Sequence, residues 1–352
     1  MVWKPKEKEF TLEEALALAK NELAPFWHNS SPLLAGVKTG KITTVHPLSP
    51  DFNEFIWLIF IIDLTDSSGN MVLQCAREFH RRYHDLNLKV LVLIYPVYPF
   101  LKEAKTVQSI TRHFQIPFIL GIDTELLLSQ SFEVNTFPKA VLVSKDKKIL
   151  DLSGNDWFFS LEEGIQNFMR SHDPGLPLLN LFHPTFPWHV EVSRVELGRD
   201  LGFVFPKPGF GQSENGFSQA LFTGGKEDAD FVIYGHWIQD EHRIATSDPQ
   251  AFIRLKCPST HFSLVSEFLG KTADMAKIIV ELNRIPVLDI FAGESLVYDD
   301  EGHSVLKLDE ARLFSTLARL PEKNREITLR FPFADRNAIA LYGLRFHEIV
   351  KL

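Results

Sequence analysis

Sulfur is scarce in this chain. Its 352 residues include only two cysteines, Cys75 and Cys257, too few for a disulfide framework or a four-cysteine zinc site. A single Cys75–Cys257 disulfide is the one crosslink available, and two buried free thiols is the favoured expectation. Positive charge is in deficit too: 37 Lys and Arg stand against 45 Asp and Glu, a net charge of -8. Nucleic acid or an anionic membrane would need a concentrated basic surface, so neither is an expected partner. Long apolar runs are also missing. The strongest, FIWLIFII at residues 55–62, is far shorter than the roughly 20 residues of a membrane helix. The start, MVWKPKEKEF, lacks the apolar stretch and small-residue cleavage site of a secretion signal, so the expected location is the cytoplasm. With no GxGxxG or P-loop pattern, no nucleotide or other cofactor is expected.

What is present reads as two regions. Thr11-Leu12-Glu13-Glu14 fits a capping box opening a helix within an extension of about residues 1–34. Residues 55–62 form a continuous apolar run of strand length, as expected of a strand buried on both faces. A helix at 69–84 follows, with Met71, Cys75, Phe79 and Tyr83 one turn apart, which puts Cys75 on the apolar stripe. KVLVLIYP at 89–96 is a second buried-type strand and implies a right-handed parallel crossover. Helices are expected at 101–114 and 160–169, with a hairpin turning at Lys145-Asp146-Lys147-Lys148 between them. This order is an α/β layout. The segment SHDPGLPLLNLFHPTFPW, 171–188, carries four prolines and reads as a stiff linker. Domains are therefore expected at 1–180 and 181–352. In the second, EVSRVELG, FVIYGHWI, AFIRLKC, FSLVSEFLG, AKIIVELN, VLDIFAG, EITLRFPF and AIALYGLRFHEI read as short strands of an antiparallel β-sandwich or jelly roll. The fold class expected is α/β plus all-β.

The first region resembles the thioredoxin-like superfamily, especially the branch of TlpA-type thiol reductases and peroxiredoxins. Three stretches, within about residues 35–170, carry the likeness: the strand-turn-helix of 55–83 followed by KVLVL, the segment IPFILGIDTELLLSQSFEV, and VNTFPKAVLVSKDKKIL. The resemblance implies a thioredoxin-like fold in which Pro138, after Phe137, is the cis-proline facing the active-site turn. It also places the two redox cysteines near Asp66 and Gly69 of Asp66-Ser67-Ser68-Gly69. Neither residue can form a thiolate or a disulfide, so dithiol exchange through that turn is excluded. Cys75 lies about two turns into the helix on its buried side, where a thiol has a raised pKa and is a poor nucleophile. The second region resembles the carbohydrate-binding-module-like β domain that follows the thioredoxin-like domain in DipZ-type proteins. FVIYGHWIQDEHRI, AFIRLKC with FSLVSEF, ARLFSTLAR and ITLRFPFADRNAIALYGLRFHE carry that likeness.

Other residue groups have competing readings. Ser67 and Ser68 at a helix start either hold an anion or cap the helix, and capping is favoured. His80 and His84 share a helix face, but Arg81 and Arg82 stand between them and no third ligand is evident, so no metal site is expected. His183 and His189 sit in or beside the linker with no nameable partner. Tyr234 and Trp237 are candidate sugar-stacking platforms, with core packing favoured for Trp237. Asp299-Asp300-Glu301-Gly302 reads as a hairpin turn rather than a calcium loop. Cys257, before Pro258, reads as structural. The expected function is a non-catalytic binding or scaffold protein that holds a protein or peptide in the groove near Pro138, on the β-sandwich, or on both. The alternatives are carbohydrate binding by the second domain and a single-cysteine thiol peroxidase using Cys75.

Overall fold

The structure is a computed structural model that describes residues 33–35, 43–45, 56–111, 116–124, 126–144, 147–153, 157–182, 188–198, 217–222, 229–270, 276–321, 323, 325–332 and 338–350. The Thr11 capping box, Lys145, Asp146 and His183 lie outside the described residues. The chain divides into two units: Met1–Leu64, Ser68–Val97 and Leu101–Phe186 form one, and Thr65–Ser67, Tyr98–Phe100 and Pro187–Leu352 the other. Among the described residues no helix is long and apolar enough to cross a membrane.

The first unit is built on a seven-stranded sheet of β1 (Leu33–Ala35), β2 (Thr43–Val45), β3 (Ile56–Ile62), β4 (Leu88–Ile94), β5 (Ile119–Ile122), β6 (Lys139–Ser144) and β7 (Lys147–Ser153), in the order β2-β1-β5-β4-β3-β6-β7. Trp57 through Ile62 are all buried, as a strand covered on both faces requires. Each such side chain contributes about 1.5–3 kcal/mol by leaving water. Strands β3, β4 and β5 are parallel, whereas β6 and β7 form an antiparallel hairpin against β3. Parallel neighbours need a crossover. Helix α1 (Ser67–Tyr83) supplies the one between β3 and β4, and α2 (Ala104–Thr111) lies between β4 and β5. Helices α3 (Leu127–Ser131) and α4 (Trp157–His172) complete the unit. The Phe137–Pro138 peptide bond that enters β6 is cis. Helix-linked parallel strands followed by an antiparallel hairpin make the α/β layout expected from the sequence.

Some boundaries differ from the sequence pattern. The start of the helix expected at 101–114 is instead a 3-10 turn, Pro99–Lys102, ahead of α2, and residues 112–114 lie outside the described residues. The helix expected at 160–169 extends to 157–172, and residues 33–34, expected in the N-terminal extension, belong to β1.

Helices α1 and α4 are fastened by a buried polar cluster. Glu162 on α4 is only 1% exposed; its Oε1 accepts hydrogen bonds from the Tyr83 hydroxyl (2.5 Å) and Arg82 Nε (3.0 Å). The Phe182 amide donates to Oε2, and Gln166 Nε2 donates to both the Tyr83 hydroxyl (2.9 Å) and the Leu179 carbonyl (2.8 Å). Burial, reinforced by the neighbouring carboxylate, pushes the Tyr83 phenol up to about 12.

The second unit is β-rich. Its strands are β8 (Trp188–Glu196), β9 (Phe217–Phe222), β10 (Ala229–Tyr234), β11 (Ile238–Gln239), β12 (Ile244–Thr246), β13 (Phe252–Cys257) and β14 (His261–Phe268), followed by β15 (Ala276–Leu282), β16 (Ile285–Pro286), β17 (Leu296–Tyr298), β18 (Ser304–Leu308), β19 (Arg312–Leu317), β20 (Arg325–Arg330) and β21 (Ile339–Val350). One sheet runs β17-β18-β15-β20-β13-β10-β9 with β16 added to β15; the other runs β11-β12-β21-β14-β19 with β8 added to β21. Alternation decides which side chains go inward. Ile253, Leu255, Val280 and Leu329 from the first sheet join Phe262, Leu264, Phe314 and Leu344 from the second in one buried cluster. Strand β21 pairs with β14 along one edge and with β12 and then β8 along the other. Fully buried Arg345 on β21 is balanced there by Glu196 of β8, 2.9 Å away. The expected strand VLDIFAG is instead a 3-10 turn, Asp289–Phe291, with Leu288, Asp289 and Ile290 exposed. Strands β9 and β18 form where the sequence pattern named none.

Replacing Glu162 by Ala should cost about 3–5 kcal/mol in urea unfolding, because it removes the acceptor of the Tyr83 hydroxyl and the carboxylate facing Arg82, which keeps its bond to the Asn180 carbonyl. A loss below about 1 kcal/mol would show that the pair of helices does not depend on this carboxylate.

Candidate functional site

The turn after β3 is where the family resemblance implies the reactive residues would lie. Asp66 and Ser68 are buried and Ser67 is half-buried. Because α1 begins at Ser67, the capping position falls to Asp66, a residue type equally suited to it. The Ser67 hydroxyl donates to Asp66 Oδ1 at 3.4 Å, a long contact. A carboxylate partner alone does not make a hydrolytic serine, whose proton needs a well-placed base. Gly69 explains how α1 reaches its place. A Cβ there would sit 2.2 Å from the Asp63 carbonyl oxygen and 3.4 Å from Leu64 Cα, so the helix packs against the end of β3 at a separation only glycine permits. The second redox position implied by the family resemblance therefore has no room for a side chain.

Both cysteines are free and buried. Cys75 lies on α1 with Met71, Phe79 and Tyr83, all buried. Burial pushes its thiol well above the ordinary range, against a smaller opposing backbone hydrogen bond. Burial likewise raises Cys257, at the end of β13, against smaller opposing hydrogen bonds with Ser259.

Around Pro138, itself buried, the half-buried Phe137 ring lies 4.9 Å from that of Tyr95. Both pack on the cluster of Trp57, Ile59, Leu91 and Leu93. The next residue, Lys139, reaches Asp151 of β7 at 3.0 Å. Asp123 accepts the amides of Leu128 (3.3 Å) and Ser129 (2.6 Å), which fixes the start of α3. The sequence reading did not single out Tyr95 or the capping role of Asp123. The signal for Asp123 was an acid preceding a leucine-rich short helix; for Tyr95 it was an aromatic immediately after a buried strand.

In the second unit the two candidate platforms separate. Trp237 is 6% exposed, donates its indole N–H to the Tyr234 carbonyl at 2.8 Å and meets Phe331 edge-on at 5.2 Å. It is core, not a stacking surface. Strand β10 ends at Tyr234 and Gly235 has φ +100°, so simple alternation does not carry on to Trp237. Tyr234 is half-exposed and stacks on Phe252 across the strand pair at 5.0 Å. Arg254 lies 5.3 Å and Arg330 6.0 Å from the Phe252 ring. Among the histidines, His80 and His84 stack on each other at 5.3 Å, and His84 Nδ1 lies 3.1 Å from the His80 carbonyl. His189 falls in β8, and its side chain lies outside the described residues. The acidic turn joins β17 to β18, and Asp299 Oδ1 accepts the amides of Glu301 (3.1 Å) and His303 (2.9 Å). Its carboxylate thus serves the hairpin.

No protein-family model matches the chain, and no curated protein matches it. Similar solved structures include a thioredoxin-like protein from Porphyromonas gingivalis, 12% identical, covering 41% of this chain and 92% of that one with a TM-score of 0.32. The exposed lipoprotein thioredoxin Etrx1 from Streptococcus pneumoniae is 15% identical, with 40% and 97% covered and a TM-score of 0.32. StoA from Bacillus subtilis is 13% identical, with 39% and 98% covered and a TM-score of 0.30. These likenesses are distant, and the first unit is defined by its own strand order.

Proposed function

We propose that this chain is a non-catalytic binding protein in which a thioredoxin-like frame without a redox pair is joined to a two-sheet β-sandwich. The observation that carries the reading is the lack of a presented thiol. Cys75 and Cys257 are both 0% exposed, and the turn offers Asp66 and a side-chain-intolerant Gly69 where thiolates would stand. Thiol exchange and peroxide reduction both start from an accessible thiolate, which burial opposes twice, by closing access and by raising the pKa. On the first unit, Tyr95 and Phe137 offer an apolar rest for an extended peptide beside Pro138. Recognition of this kind needs no sulfur. Two free thiols also agree with a reducing cytoplasm.

A second reading, carbohydrate binding by the sandwich, has support at Tyr234. Its ring, Phe252 and the guanidinium groups of Arg254 and Arg330 together make a half-exposed aromatic and polar surface of the kind that sugars use.

With a neutral thiol reagent near neutral pH, both cysteines should label no faster than the protein unfolds. Insulin reduction should match that of a Cys75→Ser/Cys257→Ser control. Rapid labelling of the native protein would overturn the non-catalytic reading. Peptides selected from a random display library on the native protein should bind a Tyr95→Ala/Phe137→Ala variant at least about tenfold more weakly, which corresponds to about 1.4 kcal/mol; equal affinity would remove the peptide site. For the sugar reading, soluble glycans should quench intrinsic fluorescence in the native protein but not in Tyr234→Ala, and no response to a broad glycan panel would dismiss it.

A further inference from the structure

One edge of the β-rich unit leaves apolar surface in water. Of the large hydrophobic side chains exposed among the described residues, half fall in the short span 285–298: Ile285 at 58%, Leu288 at 57%, Ile290 at 67%, Val297 at 38% and Tyr298 at 43%. Singly such residues are ordinary, but gathered together they mark a surface that something covers.

The fold brings them together. Strand β16 folds back on β15 through Asn283 and Arg284, both with positive φ (51° and 67°), as a two-residue hairpin turn requires. The Val287 amide then donates to Ser304 Oγ at 3.0 Å, and the Tyr298 hydroxyl donates to the Val287 carbonyl at 2.8 Å. Residues 285–288 are thereby held against the end of β17 and the start of β18. The support beneath is firm, because Val287, Leu296 and Leu306 are buried in the shared core. Strand β17 pairs with β18 on one side, and the chain just before it is tied to β19 by the Gly293 amide on the Thr316 carbonyl (3.0 Å) and the Ser295 amide on the Ser315 carbonyl (3.0 Å), so the patch is offered by side chains on a fixed backbone.

Charge selects the occupant. Between residues 285 and 302 the sequence has five acids, Asp289, Glu294, Asp299, Asp300 and Glu301, and no Lys or Arg. All but Asp299 are exposed. The adjoining cation, Arg284, is engaged by Glu326 at 3.0 Å. A second copy docking patch to patch would bring one acidic rim against another, and an anionic lipid surface would be repelled. A partner with aliphatic groups flanked by cations satisfies both parts of the surface.

We propose that this edge docks a basic amphipathic segment of a partner protein, its aliphatic side chains resting on Leu288, Ile290 and Tyr298 and its Lys or Arg groups over the acidic rim. The surface is separate from Tyr95 and Phe137, so its failure would leave the peptide site of the first unit untouched.

The test uses the full chain and two fluorescent synthetic peptides, one alternating leucine with lysine and the other leucine with glutamate. The leucine-lysine peptide should raise its anisotropy on binding, with affinity falling as salt is raised from about 0.05 to about 0.5 M. The leucine-glutamate peptide should not bind. Leu288→Glu/Ile290→Glu, which alters only exposed side chains, should keep the native circular dichroism and weaken leucine-lysine binding at least about tenfold. Asp300→Lys/Glu301→Lys should weaken it as well. Equal binding to native protein and variants would reduce the effect to general attraction by an acidic protein, and absence of binding would end the proposal directly. A native dimer in sedimentation equilibrium that becomes monomeric in Leu288→Glu/Ile290→Glu would overturn it in favour of a second copy. Variant-sensitive binding to phosphatidylserine vesicles would overturn it in favour of a membrane.

Discussion

A carboxylate sealed inside a protein dictates what surrounds it. Taking Glu162 out of water costs several kcal/mol unless its oxygens are met by donors, and here they are met by an arginine, a phenol and a backbone amide. Those donors come from the last turn of α1 and from the chain beyond α4. The orientation of α1 is therefore set at its far end by Glu162 and at its near end by Gly69 against the Asp63 carbonyl. Between these two fixed points the helix has little freedom to slide, and the turn that precedes it is positioned accordingly.

The β-rich unit obeys a different constraint. Its two sheets meet chiefly through buried side chains, in the cluster that includes Ile253, Val280, Phe262 and Leu344, with backbone hydrogen bonds between residues 291–295 and β19 tying them at one side. Strand β21 organises one of them by serving β14, β12 and β8 at once. A buried arginine on such a strand is tolerable because Glu196 (2.9 Å), the Tyr98 hydroxyl (2.7 Å) and the Thr65 carbonyl (3.2 Å) meet its guanidinium. The row of Tyr234 and Phe252 lies outside this buried cluster.

How much of this could be read in advance depended on the range of the forces involved. The buried runs at β3 and β4 and the apolar stripe that places Cys75 inward were visible as simple periodicity, because each is a local pattern answering to one core. The turn between Asp66 and Gly69 was visible as a place, but its chemistry was not. That Gly69 faces the Asp63 carbonyl depends on a backbone approach that no spacing rule encodes. Glu162 was hidden for the same reason, since nothing in SLEEGIQ marks one glutamate as buried. VLDIFAG was misleading in the opposite direction: its apolar letters suit a strand, yet tertiary contacts bend it into a 3-10 turn that leaves Leu288 and Ile290 in water. The separate fates of Tyr234 and Trp237 followed from the end of β10 at Gly235, which broke the alternation on which the sequence reading relied.

The close seating of α1 on the end of β3 also bears on history. A lineage that carried this geometry could not place a side chain at position 69 by changing codons alone, since any Cβ there would first have to lift the helix from its support. Substitution and backbone displacement would have to arrive together. The backbone in that sense decides the residue at this position before any side-chain chemistry can.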